Sequence, residues 1–165
     1  MIKGNIHTSV REAYRMAADI ALKFWQRLWD NESTGCYTHE IIPTVGTKIL
    51  FPNSRHTGIS YCRMLLHDTM LHQDSYRCGT SLSPICDCVA EEESVEHFLL
   101  RCDNYSGIWK TPINNIKDCL DNQFITTVTE SLLLAPSLEK NIRKSDCVYI
   151  QDCLFDFISS SNQKI

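Results

Sequence analysis

Three thiols and one imidazole fall within seventeen positions of this chain: Cys86-Asp87-Cys88, then eight residues to His97, then four to Cys102. Such a set can close a tetrahedral Zn²⁺ site, because Zn²⁺ favours four ligands of sulfur and nitrogen type. In extended backbone residues i and i+2 project to one face, so Cys86 and Cys88 can aim both sulfurs at one point, and Pro84 favours the extended approach to them. Ser94 follows the acidic run Glu91-Glu92-Glu93 and is placed to cap a short helix through His97 and Leu100. His97 and Cys102 are five apart, about 140° around a regular helix, so they meet at one metal only if the helix ends near Arg101 and the chain bends back. The competing reading is three buried thiols used as core filler, and the Cys-x-Cys step is tighter than the usual spacing of structural zinc sites. Against that, the segment is short, acidic and poor in apolar residues of its own. A structural Zn²⁺ contributes on the order of 10–16 kcal/mol in small fingers, enough to fold it. Cys78 is the reserve ligand.

The rest of the composition bounds the function. At 165 residues and 19.0 kDa the chain fits one domain. Its formal net charge of −4 argues against a free-standing, high-affinity nucleic-acid binder, which carries a basic surplus. The charge is uneven. Residues 1–30 hold Lys3, Arg11, Arg15, Lys23 and Arg27 against Glu12, Asp19 and Asp30; residues 86–103 hold Asp87, Glu91, Glu92, Glu93, Glu96 and Asp103 against Arg101 alone. Nine cysteines form an odd set, and no apolar leader follows Met1-Ile2-Lys3-Gly4, so metal binding or reduced thiols are expected rather than a disulfide framework. No apolar run approaches the roughly 20 residues of a membrane span. These features predict an intracellular protein, cytoplasmic or nuclear, with no membrane contact.

Periodicity predicts a mainly helical chain. Val10, Tyr14, Ala17, Ala21, Phe24 and Leu28 mark an amphipathic helix over residues 8–30, capped by Thr8 or Ser9, with Trp25 and Trp29 stacked near its end. Residues 37–52 read as a loop with one or two short strands around Pro43 and Gly46. A second helix runs from Ser54 to about His72, apolar nearly all round and therefore central and buried. After the cysteine segment come helices over residues 105–119, interrupted at Pro112, and 124–134, ending before Pro136. A last helix is capped by Ser137 and carries Cys147, Ile150, Leu154 and Ile158 on one stripe. The expected organisation is a helical region over residues 1–82, the zinc knuckle over 83–105 as a small lobe of short β-turn plus short helix, and C-terminal helices over 106–165 on the same core.

Other candidate groups are weaker. His67 and His72 read as satisfied core or surface histidines; Cys36, Cys62, Cys119, Cys147 and Cys153 read as buried thiols. Arg11, Arg15, Lys23 and Arg27 offer a phosphate-facing stripe, although a solvated helix face is the commoner origin of such a pattern. The glycines form no G-x-G or P-loop. No acidic pair sits on recognisable strands for metal-dependent phosphoryl chemistry, and no Cys–His pair stands out as a nucleophile system. The chain is not expected to be an enzyme.

Several blocks, taken in order, resemble a known family. Trp25-Gln26 and Trp29-Asp30 give W-Q-x-x-W-D. Ser54-Arg55 heads the second helix, which contains Arg63-Met64-Leu65-Leu66-His67. Tyr76-Arg77 precedes Ser83-Pro84-Ile85-Cys86-Asp87-Cys88, followed by Glu96-His97-Phe98-Leu99-Leu100-Arg101-Cys102 and Tyr105. This order resembles the region downstream of the reverse transcriptase and RNase H portions of LINE-type (non-LTR) retrotransposon polyproteins, nearest the I- and Jockey-like groups. The resemblance implies a CCHC zinc knuckle with Cys86, Cys88, His97 and Cys102 as ligands, in a tail that helps the reverse transcriptase hold RNA or DNA. Arg11, Arg15, Lys23, Arg27, Arg55 and Arg63 are the candidate contacts, and the reverse transcriptase and RNase H domains of the same polyprotein are the implied partners. Two positions depart from the family: Leu66-His67 stands where a Gly-His step is common, and Val89 where many members carry Gly. The aspartate-bearing polymerase and RNase H motifs are absent. A zinc-stapled protein-interaction module is the alternative function, and a divergent RNase H remnant, which needs several carboxylates converging on Mg²⁺, is a third.

Overall fold

The computed structural model describes residues 9–121, 125, 127–161 and 165. Its regular structure is almost entirely helical, so the chain is mainly α, as the periodicities predict. Helix α1 (Val10–Asn31) opens on a reciprocal cap: Glu12 N–H donates to Ser9 Oγ, and Ser9 N–H donates to the Glu12 carboxylate at 3.0 Å. Thr8, the other candidate cap, lies outside the described residues. The predicted apolar stripe exists but nothing covers it among the described residues. Val10 and Tyr14 are each 74% exposed, and α1 buries no residue.

What ties α1 to the body is the W-Q-x-x-W-D end. Gln26 Nε2 donates to the Pro43 carbonyl at 2.8 Å while Gln26 Oε1 accepts from Val45 N–H at 2.9 Å. Trp29 Nε1 donates to the Ile42 carbonyl at 2.9 Å, and Asp30 meets His39 at 3.1 Å. One side-chain amide thus satisfies both a donor and an acceptor of an irregular backbone segment. The two tryptophans do not stack; Trp29 pairs with His39 and Trp25 is more than half exposed.

The strands expected over residues 37–52 are not formed. Gly35, at a φ of +70° open to a residue without Cβ, turns the chain into a short helix α2 (Cys36–Ile41), and irregular backbone follows. Helix α3 (Arg55–Leu66) begins at the predicted Ser54 cap but stops well before His72. His67 takes the left-handed conformation, with φ +52°, and its ring stacks on Tyr37 at 3.5 Å. A separate helix, α4 (His72–Arg77), follows. Helix α3 is also one-sided rather than wholly buried. Thr57, Ser60, Tyr61, Met64 and Leu65 face inward while Ile59 and Leu66 face out.

Helix α5 (Val95–Leu100) leads through a 3-10 turn into α6 (Ser106–Asp121), which runs through Pro112 without the expected interruption. Trp109, Ile116 and Leu120 are buried on either side of the proline, and that packing holds the helix across the lost hydrogen bond. Helix α7 (Glu130–Leu134) is capped by Thr129; its expected beginning at Phe124 falls outside the described residues. Ser137 sits in a 3-10 turn and caps nothing, and α8 (Lys144–Ser160) starts later, directly after Arg143. Its stripe of Cys147, Ile150, Leu154 and Ile158 is buried as predicted. Of the five thiols expected to be buried, Cys147 is; Cys62, Cys119 and Cys153 are half-buried and Cys36 is exposed.

Helix α8 is the spine of the core, packing on α3, α6 and α7, and α5 packs on α7. Phe98 and Leu99 of α5 lie in the same apolar cluster as Tyr61, Ile116, Leu133 and Leu154, each fully buried Leu or Phe contributing about 1.5–3 kcal/mol. Phe98, Tyr105, Trp109 and Phe157 form an aromatic corner with centroids 4.5–6.1 Å apart. No helix among the described residues is long and apolar enough to cross a membrane.

Candidate metal centre

The Cys/His segment is built from a two-rung hairpin and a helix. Cys86 N–H donates to the Glu91 carbonyl at 3.0 Å and Glu93 N–H to the Pro84 carbonyl at 2.9 Å, flanking an antiparallel bridge between Ile85 and Glu92. In the turn beyond the Cys86–Glu91 rung, Val89 N–H turns back onto the Cys86 carbonyl at 2.8 Å, with Val89 itself at φ +62°. Ser94 then caps α5, accepting from His97 N–H at 3.0 Å. At the far end the His97 carbonyl accepts from both Arg101 N–H and Cys102 N–H, each at 2.9 Å. That double closure is the bend the sequence required, and it swings Cys102 back toward the hairpin.

The four donors converge. Cys86 Sγ lies 3.6 Å from Cys102 Sγ, Cys88 Sγ lies 3.3 Å from His97 Nε2, and all four ligand atoms are within 4.8 Å of one another. A tetrahedral zinc with bonds of about 2.3 Å to sulfur and about 2.0 Å to nitrogen sets ligand atoms about 3.5–3.8 Å apart, so the donor set fits a metal of that kind. Cys86, His97 and Cys102 are buried and Cys88 is half-buried. Among the described residues no second group of this type is found, nor do several carboxylates converge as a nuclease remnant would need. Cys78, the reserve ligand, is exposed and outside the cluster.

Electrostatics prepare the sulfurs unequally. Burial pushes the Cys86 thiol up to about 12 and raises Cys102 as well. The backbone N–H of Ala90 holds Cys88 below the usual thiol range, and the N–H groups of Cys88 and Asn104 act in the same sense on Cys86 and Cys102. These main-chain N–H groups favour thiolates, and a divalent cation at the centre of the cluster would supply the charge that offsets burial.

Around the donors lies a carboxylate frame to which the sequence assigned no role beyond an acidic run ahead of the Ser94 cap. His97 Nδ1 is 2.9 Å from Glu91 Oε1, and Arg101 grips the same carboxylate at 2.7 and 3.1 Å. The Arg101 guanidinium holds the Glu91 carboxyl well below its ordinary value, to about 2. Glu93, only 4% exposed, accepts from His72 N–H at 2.8 Å, and His72 Nδ1 lies 2.6 Å from the Ile85 carbonyl. Those bonds fasten the hairpin to α4. The signal for Glu91 and Arg101 was their offset from His97, six before and four after, which only a helix closing on a hairpin makes meaningful.

The basic candidates are not gathered in the same way. Arg11, Arg15, Lys23 and Arg27 are exposed on α1 but spread over about 160° of its circumference, with Arg27 lying 5.9 Å over the Phe24 ring. Arg55 is exposed. Arg63 is half-buried and donates to the Ile165 carbonyl at 2.7 Å.

No protein-family model matches the chain, and no solved structure matches it. Among curated proteins, 88 residues, 53% of this chain, are 31% identical to a retrovirus-related Pol polyprotein from the type-1 retrotransposable element R1 of Bradysia coprophila. The matched stretch amounts to 9% of that polyprotein's length. Together with the converging Cys/His set, this similarity supports a retrotransposon-derived region.

Proposed function

We propose that Cys86, Cys88, His97 and Cys102 hold one structural Zn²⁺ as a CCHC knuckle. In this reading the chain is a non-catalytic accessory region of an I- or Jockey-like retrotransposon polyprotein, contacting RNA or DNA beside the reverse transcriptase and RNase H domains inside the cell. The convergence of four protein donors, three of them buried, carries the proposal. A site whose four positions are all taken by side chains has none left for substrate, the usual difference between structural and catalytic zinc. The relative's name, a Pol polyprotein of a retrotransposable element, supports the setting. Arg11, Arg15, Lys23, Arg27 and Arg55 are the exposed candidate contacts, and Arg63 contributes only if it exchanges its bond to Ile165.

Metal analysis and a salt titration test this reading. Purified protein should carry one zinc per chain, and Cys86→Ser or His97→Ala should each lower that content; full retention in both variants refutes the ligand set. Binding to single-stranded RNA should weaken as salt rises, with a log–log slope of about −0.7 per phosphate contacted. A second reading, a zinc-stapled protein-interaction module, is favoured by the acidic excess over residues 86–103 and by the uncovered apolar face of α1. Absence of RNA or DNA binding at low salt leaves that module standing.

A further inference from the structure

We propose that Glu91, clamped by Arg101, is a positioning residue for His97 that fixes which ring nitrogen faces the metal. The inference rests on the zinc reading above and goes beyond it. His97 is fully buried, and its ring has two unlike neighbours. Nε2 faces Cys88 Sγ at 3.3 Å and Nδ1 faces Glu91 Oε1 at 2.9 Å. An ionised carboxylate only accepts hydrogen bonds, so the proton of the neutral ring sits on Nδ1 and the lone pair on Nε2 points into the cysteine cluster. The opposite tautomer would place an N–H where the cation belongs and leave Nδ1 facing a carboxylate with no proton between them.

Glu91 is itself held. Arg101 Nε donates to Oε1 at 2.7 Å and Nη2 to Oε2 at 3.1 Å, the two-pronged geometry that orients a carboxylate plane. Arg101 Nη1 also meets Glu96 at 2.8 Å. Because Arg101 is the residue at which α5 closes, the clamp joins hairpin and helix, the two pieces that must keep register for four ligands to meet. Glu91 and Arg101 are each about two-fifths exposed, so replacing either leaves the apolar core untouched. Metal-bound imidazoles commonly donate their other N–H to such a partner, and losing it typically lowers affinity 10–100-fold.

The test uses the whole chain loaded with Zn²⁺, and separately with Co²⁺ as an absorbing probe. In chelator competition Glu91→Ala should bind Zn²⁺ about 10–100-fold more weakly and Glu91→Gln, which keeps an acceptor but not its charge, should fall between. Glu96→Gln, which touches Arg101 but not His97, should stay near wild type. Nitrogen-15 spectra of the metal-free and loaded protein should show His97 protonated at Nδ1 in the wild type and a mixture of ring forms in metal-free Glu91→Ala. Unchanged affinity in Glu91→Ala overturns the inference, and so does weakened affinity with the His97 ring form unaltered, since that result reduces Glu91 to a scaffold residue. A wild-type chain that binds neither Zn²⁺ nor Co²⁺ instead overturns the zinc reading beneath it.

Discussion

Val89 occupies a backbone conformation that a β-branched residue rarely accepts, φ +62° in the turn after Cys88. Holding it there costs of order 1 kcal/mol or more, so Val89→Gly should stabilise the protein by about 1 kcal/mol, raising Tm by roughly 2–4 °C; a Tm that fails to rise contradicts the strain. The position is one at which this chain differs from the resembling family, and the φ value supplies the physical reason a glycine suits it. Glu130 makes a second residue-level case. Burial raises its pKa, and Tyr37 donates to it. The folded state therefore holds the Glu130 proton more tightly than the unfolded one. Its stability contribution is complete below the ordinary value of 4.5 and is lost as pH rises through the raised folded value. Glu130→Gln keeps an acceptor for Tyr37 but has no charge to bury. Paired melts from about pH 4 to pH 7 should show the variant gaining on the wild type as pH rises, and a constant gap would contradict the sign. The converging set of Cys86, Cys88, His97 and Cys102 was readable as a candidate from type and spacing alone. Glu91, Glu93 and Arg101 were not, because a carboxylate in an acidic run looks the same whether it faces water or a buried imidazole.

Two helices of similar apolar character differ completely in what they do for the fold. Helix α1 has a clear apolar face that nothing among the described residues covers, while the six residues of α5 bury Val95, His97, Phe98 and Leu99. Tyr14→Lys on α1 should therefore change stability by less than about 0.5 kcal/mol, whereas Phe98→Ala should cost about 3–5 kcal/mol. Chemical denaturation of both variants checks the contrast, and a large loss in Tyr14→Lys would mean that α1 is covered by a neighbour. Periodicity tells which side of a helix is apolar and says nothing of what lies against it. The same limit explains the other departures. Pro112 was read as a break, but flanking buried residues carry α6 across it. Residues 37–52 were read as a loop with one or two short strands, but Gly35 starts a helix over Cys36–Ile41. His67 ends α3 early because its ring finds Tyr37, a contact thirty positions away.

For the whole molecule, the consequence is that the Cys/His segment contributes to the apolar core of the helices around it. Phe98 and Leu99 share one apolar cluster with α3, α6, α7 and α8, while His97, between Val95 and Phe98, faces the sulfurs. With the proposed Zn²⁺ bound, chelating it should lower the stability of the entire chain in one cooperative transition. Far-ultraviolet and tryptophan signals should then melt together at a reduced Tm; loss of structure confined to residues 84–103 would show the knuckle to be separable after all. The order of residues by itself determined the helical class, the Ser54 and Ser94 caps, the choice of Thr8 or Ser9 at the start of α1, the inward stripe of α8 and the candidate set of Cys86, Cys88, His97 and Cys102, since each depends on chemistry within a turn or two of chain. Tertiary structure alone decided which apolar faces are covered, which carboxylates are paired and which way the His97 ring points. Those outcomes depend on groups far apart in sequence, whose meeting is fixed only when the helices pack.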